Sequence, residues 1–263
     1  MTPIEKTLLN IDDDAGFLAE YAAWLWGCGA TCTRLERNVM RMAAALGVDA
    51  DLLVLPGHVE LAVKPAGGET AVLAVRKMNS CGIRFDLNAA LSRLSWSLAD
   101  GRVTPREARD KFRRIVATPP TPAIEVLLMA SVANAAFCRL FGGDAAAMVT
   151  VLVATLAGLR LKQLMIGEGR DARLAFICAA FASATVSAGA SLFGWGSTPQ
   201  IALGTSVLYL IPGVPYINSV SDLLARHYLC AFSRFMDACV LTVCLTAGLT
   251  FGMFILGISN TAL

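Results

Sequence analysis

The placement of charge constrains this chain more than any other feature. Of its 42 charged side chains, 29 lie in residues 1–118 and 13 in residues 119–263. A charged group inside hydrocarbon is costly, so the second half reads as membrane-embedded and the first as water-exposed. Composition agrees: 56% of residues are hydrophobic and mean hydropathy is +0.61, both high for a water-soluble domain.

Net charge is +2 and no basic stripe is visible, so nucleic acid is not an expected partner. The amino terminus lacks the basic-then-apolar pattern of a secretory leader, and Asp12, Asp13 and Asp14 interrupt it. The first domain is therefore expected on the cytoplasmic side. None of the eight cysteines forms a CxxC pair. Cys28 and Cys32 have helical spacing but no neighbouring histidine, so they read as small apolar residues rather than metal ligands. The only histidines are His58 and His227, and neither HExxH nor GxSxG occurs. No catalytic residue, metal site or cofactor is expected.

The first 118 residues read as a soluble α+β domain. Phe17, Leu18, Tyr21, Leu25 and Cys28 share one helical face between Ala15 and Cys28. A second helix is expected from Thr33, with Glu36 completing a capping box, Leu35, Val39, Met42 and Leu46 buried, and Gly47 as its stop. Strands are expected at Leu52–Leu55, Val59–Val63 and Val72–Val75. Two helices follow. One starts at Asp86 and buries Leu87, Leu91, Leu94 and Leu98. The other starts at Thr104, with Pro105 at its first position and Glu107 closing a capping box.

Residues 119–263 read as about five transmembrane helices, near 121–140, 141–161, 174–195, 199–212 and 235–258, four of them close to the ~20 residues that cross a bilayer. The fourth is broken. Its apolar run ends at Pro212-Gly213-Val214-Pro215, which cannot continue a regular helix. A short amphipathic helix is expected from Asn218, with Val220, Leu223, Leu224 and Tyr228 on one side and an Asp222–Arg226 pair on the other. Arg160, Lys162, Arg170, Arg173, Arg226 and Arg234 fall between spans on one side and only Arg139 on the other. The positive-inside rule then puts the amino-terminal domain in the cytoplasm and the carboxyl terminus outside. An odd span count suits pairing with an inverted second half.

Three stretches carry a resemblance to the threonine/serine exporter (ThrE) family, in particular to its stand-alone first-half subunits. Gly29–Val48 is similar to the family's Gly-Ala-x-Thr-x-Arg-x-Glu segment, with one residue's slack before Arg34, and places Gly29, Thr31, Arg34 and Glu36 on that motif. Asp86–Ile115 resembles its helical hairpin. Leu210–Ala238 resembles its Pro-Gly-x-Pro-x-x-Asn-x-x-x-Asp segment. The resemblance implies an oligomeric inner-membrane secondary exporter of threonine, serine or a similar small polar metabolite, coupled to protons and needing a second five-span subunit. Export of C4-dicarboxylates such as succinate is the alternative. A membrane-anchored sensor or binding protein that transports nothing is the reading outside that class.

Site residues follow, each with two readings. Pro212, Gly213 and Pro215 either free backbone groups that line a substrate cavity or make a plain interfacial turn; the resemblance favours the cavity. Asn218 would cap the next helix, whose N–H groups attract a substrate carboxylate. Asp222 is either a proton-coupling acid or the surface partner of Arg226. Asp237 is either a proton carrier or a carboxylate at a helix start. Glu125 is either a titrating acid facing the bundle or an interfacial residue near a helix start, and the interfacial reading is favoured. Ser131, Asn134 and Thr150 either contact solute or join helices, and Ala179, Ser183, Ser187 and Gly189 are expected to allow close packing.

Overall fold

The computed structural model describes residues 3–68, 71–79 and 81–257, the side chains of 3–10 and Ser191 excepted. The expected end of the last span at Ile258, and the carboxyl terminus, lie outside the described residues. The chain divides into two units. One holds Met1–Pro120 together with Val214–Phe235; the other holds Thr121–Gly213 and Met236–Leu263.

The first unit opens with α1 (Pro3–Gly27), which begins well before Ala15, because Asp12–Asp14 are tolerated on its open side. α2 (Cys32–Leu46) follows. Its cap is Thr31, not Thr33: the Thr31 hydroxyl accepts the Arg34 N–H at 3.3 Å. Glu36 therefore makes no capping box and instead sits 3.4 Å from His227. Gly47 ends the helix in the left-handed region at φ 74°.

β1 (Val48–Leu55), β2 (His58–Pro65) and β3 (Val72–Lys77) form one antiparallel sheet in that order. Alternation buries Val59, Leu61 and Val63 of the central strand. α3 (Phe85–Ala99) buries the four expected leucines. α4 (Pro105–Val116) has the expected Thr104–Glu107 capping box, with Glu107 accepting the Thr104 N–H at 2.8 Å. Phe112 of α4 meets Phe17 of α1 edge-on at 5.7 Å, so helices and sheet close over one apolar core.

The second unit holds α5 (Ala123–Leu140), α6 (Ala145–Gly167), α7 (Ala172–Leu192) and the short α8 (Pro199–Ser206), which runs into a 3-10 turn at Leu208–Leu210. α9 (Gly213–Leu224) and α10 (Tyr228–Ile255) straddle the division between the units. α5, α6, α7 and α10 are long and apolar enough to cross a membrane; α8 with α9 makes a fifth if a broken pair counts as one span. Their outward residues suit lipid: Leu128, Met129, Val132, Val153, Val243 and Phe254 are all exposed. Inside, backbones approach closely. A Cβ on Gly158 of α6 would lie 2.7 Å from the Ala179 carbonyl of α7, and one on Gly248 of α10 would lie 2.3 Å from that of Ile177. Gly189, expected to serve this purpose, has open space around it.

Asp144 starts α6. Its carboxylate accepts the Ala147 N–H at 2.7 Å, the Ser197 N–H, and the Ser197 hydroxyl at 2.9 Å. These donors, the Ala147 N–H foremost, hold its pKa down to about 2 from 3.8. A depressed carboxyl stabilises the fold above its ordinary pKa and loses that contribution as pH falls through the lower one. Melting of the wild type should therefore exceed that of Asp144→Ala at pH 7, and the gap should close as pH falls from about 4 to about 2. A gap independent of pH would show that the charge is not what holds the cap.

Candidate functional site

Two polar assemblies stand out, one in each unit. The first is built around Asp222, which is completely buried. α9 places it there by turning its polar side inward. Ser219 and Asp222 are buried, whereas Val220, Leu223 and Leu224 are exposed. The expected amphipathic helix is thus present but starts at Gly213, with Pro215 in its first turn, where proline is tolerated. Asn218 lies inside it rather than capping it. The helix is inverted relative to an ordinary soluble one, burying polar residues and exposing apolar ones.

The Asp222–Arg226 pair is not formed. Arg226 leaves the helix with φ 67° and is exposed. The partner of Asp222 is Arg234 of α10, whose Nη1 lies 3.1 Å from Asp222 Oδ2. That distance makes an ion pair, but neither atom has a well-aligned hydrogen bond. The other carboxylate oxygen accepts the Cys32 N–H at 2.8 Å. Cys32 is the first residue of α2, so Asp222 sits on the positive end of that helix and takes one of its orphan donors. An internal carboxylate occupies the kind of place expected for a substrate's.

The surrounding contacts tie the same elements together. Asn218 Nδ2 donates to the Gly29 carbonyl at 2.9 Å, and Arg234 Nη2 donates to that of Ala30 at 2.6 Å. The guanidinium of Arg234 lies 3.9 Å from the Trp26 ring centre. Ser219 Oγ donates to the Ala231 carbonyl at 2.8 Å. Residues almost two hundred positions apart, from the first and third stretches singled out in the sequence, form one buried cluster. Sequence reasoning missed Arg234 as a member because it was assigned to a loop; its place in an apolar helix next to Phe235 was the available signal. Asp237, by contrast, is exposed, as is Glu125.

The second assembly lies midway along the helices of the second unit. Asn134 of α5 donates through Nδ2 to Thr155 Oγ1 of α6 at 2.7 Å and to the Thr205 carbonyl of α8 at 3.0 Å. Ser183 of α7 donates to the Ala154 carbonyl at 2.9 Å and lies 3.0 Å from the Tyr209 hydroxyl. Ser187, one turn further, has a buried hydroxyl with no partner among the described residues. Ser131 and Thr150 instead bond back to carbonyls of their own helices.

The expected fourth span breaks earlier than Pro212. α8 stops at Ser206 although no proline is near. Thr205 and Ser206 return their hydroxyls to the Ile201 and Leu203 carbonyls at 2.6 and 2.8 Å, a local competition that weakens a helix, and Asn134 takes the Thr205 carbonyl. Non-helical backbone within an apolar bundle is tolerated where protein or water satisfies it. Among the described residues the buried polar groups of this unit are all uncharged amides and hydroxyls. They can hydrogen-bond a small polar solute, and among the described residues no cluster of histidine, cysteine or acidic side chains could hold a metal ion.

One chain thus carries a broken, polar-cored helical bundle and a small α+β unit. Residues 16–256 match the family model described as "Putative threonine/serine exporter" (ThrE). The chain belongs to the threonine/serine exporter family. This membership places it among transporters rather than enzymes, as a multi-pass membrane protein. It is also similar to two curated proteins named "Probable succinate transporter subunit YjjP". The one from Klebsiella aerogenes is 26% identical over 243 residues, covering 92% of this chain and 93% of that protein. The one from Escherichia coli K12 is 25% identical over 231 residues, covering 88% and 90%. No solved structure matches the exporter-family chain.

Proposed function

We propose that this chain is one subunit of a proton-coupled secondary exporter of a small polar carboxylate in the inner membrane, working with a second five-span subunit. The observation that carries the reading is the uncharged polar layer halfway along otherwise apolar helices, at a break in the fourth span. Transporter sites are built at such discontinuities near the bilayer midplane. Asn134, Thr155, Ser183, Tyr209 and the freed carbonyls around Thr205 would contact the solute, and the unpartnered Ser187 hydroxyl would add a donor. Pro212, Gly213 and Pro215 would serve as the joint through which α8 is linked to α9.

Asp222 is the coupling acid in this reading. Its charge is held by Arg234 and by the start of α2. Protonation would cancel that charge and release Arg234, and with it the attachment of α9 and α10 to Gly29–Cys32. Asp237 is the weaker candidate because it is exposed and engages none of these groups. The amino-terminal unit would face the cytoplasm, as the loop charges suggest. The family description points to threonine or serine as solute; the names of the two relatives favour a C4-dicarboxylate, which is the first to test.

The test is efflux of labelled succinate and threonine from cells expressing the chain with its partner subunit. Asp222→Asn and Asn134→Leu should each lower initial efflux by about tenfold or more per folded copy of the protein recovered in the membrane. Undiminished efflux in both variants would remove this site assignment.

A further inference from the structure

A second charged feature of the amino-terminal unit is separate from Asp222. The sequence shows no continuous basic stripe, yet Arg34, Arg37, Asn38 and Arg41 are three, four and seven residues apart and so share one face of α2. α3 faces them with Ser92, Arg93 and Trp96. Between the two helices, with Ser221 of α9 at its rim, lies a cleft of 640 Å³.

Four arginines line this cleft and no carboxylate does. Among the described residues none of the four forms an ion pair. Two are held in place. Arg34 Nη1 donates to Asn88 Oδ1 at 2.8 Å. Arg41 Nη1 donates to Asn38 Oδ1 at 2.8 Å and to Ser95 Oγ at 2.7 Å, with its guanidinium 3.7 Å from the Trp96 ring centre. Asn38 in turn donates to Ser92 Oγ at 2.9 Å.

The positioning groups are themselves costly. Asn38, Asn88 and Ser95 are buried between the helices, where apolar residues would pack without needing hydrogen-bond partners. Their bonds use one or two of the five N–H groups on each of those two guanidiniums, leaving donors to spare on residues that line the cleft. Arg37 and Arg93 are exposed, and their side chains add donors that no described residue takes. Four unpaired cations in one cleft repel each other, and a ligand of opposite charge relieves that repulsion. Guanidinium forks match carboxylate and phosphate oxygens two at a time. An ordinary solvated face would need neither the stacking nor the buried amides.

We propose that this cleft binds a small soluble oxyanion bearing two or more negative charges, in the class of di- and tricarboxylates and phosphate. The proposal does not depend on what the membrane half transports. Ser221 precedes Asp222 in α9, so a bound anion also lies beside the helix that carries the buried carboxylate.

The test uses the purified full-length chain in neutral detergent. Melting temperature is measured with succinate, citrate or inorganic phosphate, against chloride and acetate at equal ionic strength, and affinity by calorimetry. At least one multivalent probe should raise the melting temperature well beyond chloride, and its affinity should fall about tenfold or more in Arg37→Gln/Arg93→Gln, whose removed charges form no ion pair among the described residues. The variant's melting in chloride checks its fold, and Arg93→Gln alone, with a partial loss, serves if the double variant melts early. Equal shifts by all anions, or full affinity in the variants, would overturn the proposal. So would stabilisation by phosphatidylglycerol nanodiscs but by none of the soluble probes, which would assign the arginines to a lipid surface.

Discussion

Asp222→Ala should destabilise the amino-terminal unit by about 3–5 kcal/mol, the usual cost of leaving one member of a buried ion pair without its partner. Arg234 would keep its bond to the Ala30 carbonyl and its place over Trp26, but its charge would lie largely buried and uncompensated. The Cys32 N–H would also lose its acceptor. A second substitution separates charge from contact. Arg234→Met in the Asp222→Ala background removes the stranded cation while keeping an apolar chain against Trp26. The double variant should recover a large part of the loss, a coupling of at least ~1 kcal/mol in a double-mutant cycle. Thermal unfolding of the purified chain, followed by tryptophan fluorescence, reads all four corners. Additive losses would mean that the pair contributes no coupling and Asp222 acts through packing alone.

Gly158→Val should damage the membrane half severely. A Cβ there would stand 2.1 Å from Ser183 Oγ, 2.2 Å from the Tyr209 hydroxyl and 2.7 Å from the Ala179 carbonyl. The hydroxyls could swing away only by giving up the Ser183–Tyr209 contact, and the carbonyl is fixed by its own helix. Overpacking of this kind costs about 1–3 kcal/mol and occasionally more, and here a buried polar contact is lost as well. Gly189→Val is the matched control, because nothing lies within 4 Å of a Cβ at that position. Folded yield in mild detergent, followed by resistance to denaturing detergent, should fall sharply for Gly158→Val and little for Gly189→Val. Equal behaviour would show that α6 and α7 do not approach through Gly158.

Much of the fold could be read from the sequence because its signals are local. Apolar runs marked four long helices, Thr104-Pro105 with Glu107 marked a helix start, and alternation at Val59–Val63 marked the central strand. The site was harder because its bonds are not local. Asp222 and Arg226 have ideal spacing for a helical pair, and local reasoning chose that pair; the observed partner, Arg234, lies beyond the end of α9. Cys32 and Asp222 are 190 positions apart, a separation that no periodicity spans. The early break of α8 was hidden because Thr205 and Ser206 act through their hydroxyls, which no hydropathy pattern registers, whereas Pro212 announces itself. The arginine face of α2 was present at helical spacing, but the buried Leu35, Val39 and Met42 beside it drew the reading to the core.

The most direct measurement is solute movement in proteoliposomes holding this chain and its partner subunit. The vesicles are loaded with labelled succinate or threonine and given an imposed pH gradient. The account predicts release of at least one of these solutes that the gradient accelerates, that a protonophore abolishes, and that Asp222→Asn prevents. Release no faster than from protein-free vesicles for every solute tested would contradict it.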